Sequence, residues 1–210
     1  MRLYIGLVHF PVYDKNRRRI ASAITPLDLH DISRAAKTYA AKGFFVITPL
    51  SDQQTLAQRI RRHWTEGFGA RYNQHRKEAI QLLEIAPSLE QAMRVIAQRE
   101  GETPLTIATD ASRRDDRCIS YSHARCLLRD ERTIMLVFGT AWGLDQTVLK
   151  EADYVLDPIS GTTGYNHLSV RSAAAIILDR LAGEEKMPAF KCAPAVKDTR
   201  LMKTGIGKAR

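Results

Sequence analysis

Three hydroxyl-bearing stretches of this 210-residue sequence, two of them rich in glycine, could build a ligand site. GTAWGL (139–144) places Gly139 and Gly143 where a backbone can approach a ligand closely or adopt positive φ. PISGTTGYNHLS (158–169) adds two more glycines, several hydroxyls and Asn166, and runs into a helix whose first amide groups lack intrahelical acceptors. TDASRRDD (109–116) follows an apolar run and puts Thr109 at its exit. Taken alone, GTAWGL is also what a tight turn needs. His123 in YSHARC and His167 in GYNHLS are further candidates, though such histidines are more often hydrogen-bonded structural residues. GTAWGL is neither a P-loop nor G-x-G-x-x-G, and it falls late in the chain instead of after the first strand, which disfavours a nucleotide triphosphatase or a Rossmann-type oxidoreductase or hydrolase. H-E-x-x-H, G-x-S-x-G and the kinase motif set are missing too, so the sequence shows no hydrolase nucleophile and no metal site.

The elements that must position these loops alternate along the chain. Leu3 to Phe10 is mostly apolar and suits a buried parallel strand, ended by Pro11 and the DKNRRR turn. Residues 20–25 suit a short second strand. LDLHDISRAAKTYAAKG (27–43) has apolar Leu29, Ile32, Ala35, Ala36 and Tyr39 at helical spacing and Gly43 as a stop. FFVITPL is a strand, and SDQQTLAQRIRRHW a helix with Ser51 as its cap and Leu56, Ile60 and Trp64 or His63 facing inward. EGFGARYNQHR (66–76) is expected as a glycine-bearing loop, IQLLEIA as a strand, and SLEQAMRVIAQREG as a helix from Ser88 to a Gly101 stop. PLTIATDAS, TIMLVFG and YVLDPI are strands, separated by the helices YSHARCLLRD and LDQTVLKEA. A last helix, rich in alanine and isoleucine, follows the second glycine loop. This alternation predicts an α/β fold, one parallel sheet covered by helices on both faces. Ligands of open parallel sheets lie at the carboxyl ends of the strands, where the three loops fall. Beyond about Gly183 the periodicity stops and lysine and arginine accumulate, so residues 1–182 are expected as one domain and 183–210 as a basic extension.

The composition is 44% hydrophobic with a formal net charge of +9. Such an excess attracts polyanions, nucleic acid foremost among them. The basic residues cluster at Lys15 and Arg17 to Arg19, at Arg59, Arg61, Arg62 and His63, at Arg71, His75, Arg76 and Lys77, at Arg113, Arg114 and Arg117, and in the tail. Any one cluster alone suits a solvated face. The three cysteines, Cys118, Cys126 and Cys192, form no C-x-x-C pair and no finger spacing, and are expected as reduced thiols. No stretch has the roughly 20 apolar residues of a membrane span, and the start reads as a strand rather than a signal, which predicts a cytoplasmic protein with no membrane partner.

FGTAWGL, VLDPI and GYNHLSVRSAAAIILDRL, in that order, resemble the C-terminal half of the SPOUT methyltransferases, the α/β-knot enzymes that use S-adenosylmethionine. LDLHDISRAAKTYAAKGFFVITPL is similar to the opening motif of the SpoU branch, in which a helix bearing one arginine leads to a strand ending in proline. With LDLHDISR, HW..G, YN..R and SGTTGYNHLSVRSA, the chain also resembles a bacterial group of SAM-dependent RNA methyltransferases of the α/β-knot type. The resemblance implies a deep C-terminal trefoil knot and a homodimer whose interface includes the terminal helix, where Leu168 to Leu181 leaves almost no polar face. It implies that Thr109, Phe138, Gly139, Thr140, Gly143, Leu144, Leu156, Ile159, Asn166, Leu168 and Ser169 bind S-adenosylmethionine, largely through backbone groups, without metal. Arg34 is the implied catalytic residue, positioning the acceptor or its phosphate. Asp28, His30 and Asp31 lie within two turns of it, and Asp31 and Arg34 share a helix face at i and i+3. LDLHD stands where the family has an asparagine. The expectation is a methyltransferase acting on structured RNA, tRNA or rRNA. The competing one is a basic RNA-binding module that kept the fold without catalysis, which would not bind the cofactor.

Overall fold

The computed structural model describes residues 1–112 and 117–184. It opens with strand β1 (Arg2–Val8), whose last six residues are all buried, as the apolar run requires. A small antiparallel hairpin, β2 (Val12–Tyr13) and β3 (Arg19–Ile20), encloses the DKNRRR turn. No strand runs on through residues 21–25; the chain goes directly to helix α1 (Pro26–Thr38). Thr25 caps α1 by accepting from the Asp28 amide, and Leu29, Ile32, Ser33 and Ala36 face the core. Strand β4 (Gly43–Ile47) is buried throughout.

Helix α2 (Ser51–Thr65) begins one residue earlier than a Ser51 cap would allow. Leu50 holds the cap position without a side-chain bond, and its amide donates to Thr48 Oγ1 at 3.3 Å instead. The segment expected as a loop folds into two short helices, α3 (Phe68–Tyr72) and α4 (Gln74–Ile80). Gly69 explains why: a Cβ there would lie 2.6 Å from the Trp64 ring, so glycine lets α3 settle onto the end of α2. Asn73 then caps α4 by accepting from the Arg76 amide. Strand β5 (Leu83–Ala86) leads to α5 (Leu89–Glu100), capped by Ser88 and ended by Gly101 at φ 76° as its sequence predicts.

Strand β6 (Leu105–Thr109) is followed by a two-residue edge strand, β7 (Cys118–Ile119), too short to leave a pattern in the sequence. Helix α6 (Tyr121–Arg129), strand β8 (Thr133–Gly139), helix α7 (Gln146–Glu151), strand β9 (Tyr154–Leu156) and helix α8 (Val170–Ala182) complete the described chain. Cys118 is a reduced thiol, as expected. Cys192 lies outside the described residues, as do Arg113, Arg114 and the tail from residue 185.

The main sheet has seven strands in the order β5-β4-β1-β8-β6-β9-β7, all parallel. Alternation along the central strands sends side chains to two cores. Leu3, Ile5, Leu7, Ile134, Leu136 and Phe138 meet α1, α6 and α8 on one face. Tyr4, Val8, Met135 and Val137 meet α5 and α7 on the other. Both faces are therefore dry, as parallel sheets require. Helix α8 buries only one stripe, Ala174, Ile177, Leu178 and Leu181; Ser172, Ala175 and Asp179 are exposed. Among the described residues no helix is long and apolar enough to cross a membrane.

Candidate active site

The strand order sets the exits of β1, β8, β6 and β9 side by side, so their loops share one edge of the sheet. Register makes this specific: Gly139 lies opposite Val8, Val137 opposite Ala108, and Leu156 opposite Thr109. Thr109, Phe138, Gly139, Thr140 and Leu156 are thus gathered at one place. Asn166 joins them from the later loop, its side-chain amide donating to the Ala111 carbonyl at 2.7 Å, and Ile159 packs against the core beneath.

The 139–144 loop is sharply folded. A Cβ on Gly139 would lie 2.6 Å from the Leu144 amide nitrogen, and Gly143 holds φ at 97°. The segment after β1 clamps the loop from outside. Tyr13 donates its amide to the Gly143 carbonyl and accepts from the Trp142 amide, both at 3.0 Å, while Val12 bridges to Leu144. Leu144 and the Phe138 ring are buried in the core and Thr109 Oγ1 donates to the Val137 carbonyl, so these three side chains are already committed. Ser169 is committed too, capping α8 by accepting from the Ser172 amide. What they leave for a ligand is mainly main chain. Leu168 is exposed and Asn166 half-buried. All eleven candidates are neutral residue types. Such a set fits an adenosine-like group recognised by backbone amides and carbonyls, and it brings no lysine or arginine to a polyphosphate.

Sequence reasoning missed the polar chain beneath this loop. His9 directly follows β1 and is fully buried. Its Nδ1 lies 3.0 Å from Ser22 Oγ, which lies 2.5 Å from Thr140 Oγ1. The Thr140 hydroxyl donates to the Val8 carbonyl at 3.0 Å, so it must accept from Ser22. With the Ser22 proton engaged, Nδ1 of His9 is the donor and Nε2 the bare nitrogen, buried and without a partner among the described residues. Burial pushes this imidazole down to about 4, against an upward pull from Asp28, so it is neutral at pH 7. The only sequence signal was a histidine at the end of an apolar strand. A second missed contact braces the same loop: the buried Asp145 accepts both Arg19 Nε and Nη2, at 3.1 and 3.0 Å, while capping α7. Burial alone would raise this carboxyl, but the bonds from Thr147, Arg19 and Tyr13 outweigh it and hold it at about 2.

Arg34 lies on the exposed side of α1, and among the described residues its guanidinium has no hydrogen-bond or ion-pair partner. The Asp31 beside it turns away: Arg171, in the first turn of α8, lies 3.4 Å from both Asp28 and Asp31. Helix α1 is thereby tied to the helix that follows the Asn166 loop. His30 sets its ring edge-on to Trp64 with centroids 5.3 Å apart, and burial followed by the Arg76 charge lowers its pKa. His123 is exposed with its ring tilted against Tyr154, and His167 is exposed against Tyr165. Neither reaches the polar chain.

A family model described as SAM-dependent RNA methyltransferase matches residues 2–183. A "tRNA (guanine-N(1)-)-methyltransferase" from Oleidesulfovibrio alaskensis is 43% identical over 182 residues, 87% of this chain but 42% of that protein. The chain thus spans less than half the length of that relative. An uncharacterized protein of Aquifex aeolicus is 37% identical over 180 residues, covering 85% of this chain and 87% of its own. Among solved structures, the SpoU methyltransferase AviRb from Streptomyces viridochromogenes, in complex with AdoMet, superposes with a TM-score of 0.54 at 17% identity, over 85% of this chain and 56% of that one. That likeness is one of fold.

Proposed function

The chain belongs to the SAM-dependent RNA methyltransferase family, and from that premise we propose that it transfers a methyl group from S-adenosylmethionine to a nucleotide of a structured RNA. The observation that carries the reading is the convergence at one sheet edge of Thr109, the folded 139–144 loop, Leu156 and Asn166, all neutral and largely offering backbone. The cofactor would be held by main chain at 139–144 and 156–159 and by the Asn166 to Ser169 segment. When bound, it supplies an electrophilic methyl on a sulfonium. The chain's own work is to orient the acceptor against that methyl and exclude water, and Arg34, exposed on α1, would hold the acceptor or its adjacent phosphate.

The relatives named as tRNA (guanine-N(1)-)-methyltransferases are more than twice the aligned length, so their name describes whole proteins. It favours tRNA over rRNA as the substrate here. The same reading includes a homodimer through α8, supported by its exposed small residues and by Leu168, and a cytoplasmic location where such RNA is modified. It also includes threading of the chain after β9 through the loop after β6. The bond from Asn166 to Ala111 supports this. Residues 1–182 form the catalytic unit and 183–210 a basic extension.

Calorimetry with S-adenosylmethionine tests the proposal, followed by mass spectrometry of nucleosides from a strain lacking the gene. Micromolar binding and one missing methylated nucleoside are expected. A protein that binds RNA but no cofactor would instead be the non-catalytic module.

A further inference from the structure

The surface of α2, α3 and α4 is unusual in what it leaves in water. Phe68 and Tyr72, one turn apart on α3, are 68% and 76% exposed, yet their rings lie nearly parallel at 21° with centroids 5.9 Å apart. The glycines around Phe68 seat α3 by its other side: Gly69 packs on Trp64 and His63, and Gly67 on the His63 backbone. Both rings are therefore turned outward by the way α3 is anchored. The surroundings are cationic. Between positions 59 and 77 stand Arg59, Arg61, Arg62, Arg71, Arg76 and Lys77 with Glu66 as the only acid. A shallow hollow beside the end of α2 is lined by Arg59, Arg62, His63, Glu66 and Gly67.

We propose that the Phe68–Tyr72 pair is a stacking platform for unpaired nucleotides of the RNA, whose phosphates are met by Arg59, Arg62 and Arg71. Aromatic faces interleaved with arginine are how single strands are held without sequence readout. A protein partner fits less well, because the centre of a protein interface is depleted of charge. The platform is continuous with helix α1, which carries Arg34. Arg76 lies over the Trp64 ring at 4.5 Å, the His30 ring packs against Trp64 at right angles, and Arg34 is one turn beyond His30 on α1. An RNA loop stacked on α3 would thus run towards Arg34.

The inference rests on the reading that the chain acts on RNA, and the experiment separates the two. Wild type, Phe68→Ala/Tyr72→Ala and Tyr72→Phe are titrated by fluorescence anisotropy with a labelled single-stranded RNA of about ten nucleotides and a fully paired RNA duplex. Cofactor binding is followed by calorimetry and oligomeric state by sedimentation. The double alanine variant is expected to lose about tenfold or more in affinity for the single strand, with little change for the duplex and none for S-adenosylmethionine, while Tyr72→Phe binds as wild type. Arg59→Ala/Arg62→Ala is expected to lower the slope of log affinity against log salt by roughly 0.7 per arginine on the single strand. Unchanged single-strand binding by the double alanine variant overturns the platform while leaving RNA methylation standing. Loss of self-association in that variant with RNA binding intact also overturns it, by making the surface a contact between copies. A wild-type protein that binds no RNA removes both proposals.

Discussion

Gly139→Ala probes the folded loop most directly. The added methyl would sit 2.6 Å from the Leu144 nitrogen, 2.9 Å from Leu144 Cγ and 3.0 Å from the Gly143 carbonyl carbon. The first of these is about 0.8 Å inside ordinary contact, and it is contact with main chain, which no rotamer change relieves. Leu144 cannot yield easily, since it is 4% exposed, bridged to Val12, and followed by an Asp145 amide that donates to the Pro11 carbonyl at 3.2 Å. The strain therefore falls on residues 139–143. Overpacking of this kind costs about 2 kcal/mol, which in a domain of this size lowers Tm by roughly 4–8 °C. A backbone shift approaching 1 Å also breaks the hydrogen-bond geometry offered to a ligand, so S-adenosylmethionine should bind about tenfold or more weakly. Differential scanning calorimetry and isothermal titration read the two effects. Gly143→Ala separates the causes, because nothing lies within 4 Å of its added carbon and any loss there comes from φ alone. If Gly139→Ala melts with wild type and binds the cofactor with unchanged affinity, the 139–144 loop is not the cofactor loop.

On the proposed role of Arg34 at the acceptor, Arg34→Ala should lower kcat/KM by roughly a hundredfold while leaving cofactor affinity within about twofold; retained turnover in a methyl-transfer assay removes it from the mechanism. His9 has its pKa lowered from 6.5 to about 4, so the unfolded chain binds more protons between those values. Stability is therefore whole above pH 6.5 and falls as pH drops towards 4, by roughly 3 kcal/mol for this one group. His9→Asn should flatten that part of the pH profile in urea titrations, and an identical profile would show that the buried imidazole is not its source. Asp145→Ala removes the α7 cap and the Arg19 partner together and should cost about 1–3 kcal/mol at pH 7 by chemical denaturation; a cost below about 0.5 kcal/mol would mean the pair does not brace the loop.

The regular elements were legible where local rules agree with tertiary demands. Ser88 and Gly101 bound α5 as their residue types require, and the unbroken apolar runs of β1, β4 and β8 announced a parallel sheet. Residues 66–76 were misread because Gly67 and Gly69 look like a loop until the Trp64 ring is known to lie beneath them. The β2–β3 hairpin and β7 have two-residue strands, too short for any periodicity. The glycine loops of the candidate site were visible as loops, and their gathering followed from the strand alternation. The His9–Ser22–Thr140 chain was not visible, because its members are scattered along the chain and meet only through the pairing of β1 with β8. Nor did spacing disclose that Asp31 would pair with Arg171 rather than with its helix neighbour Arg34.

The sheet's strand order also governs how the chain matures as it leaves the ribosome. β1, β4 and β5 can assemble early, but β1 keeps one hydrogen-bonding edge open until residues 133–139 have been synthesised, because β8 is its other neighbour. An apolar open edge invites pairing with the wrong strand. A chain arrested before Thr133 should therefore depend on chaperones and aggregate without them, whereas one extended past Gly139 has sealed its most hazardous seam.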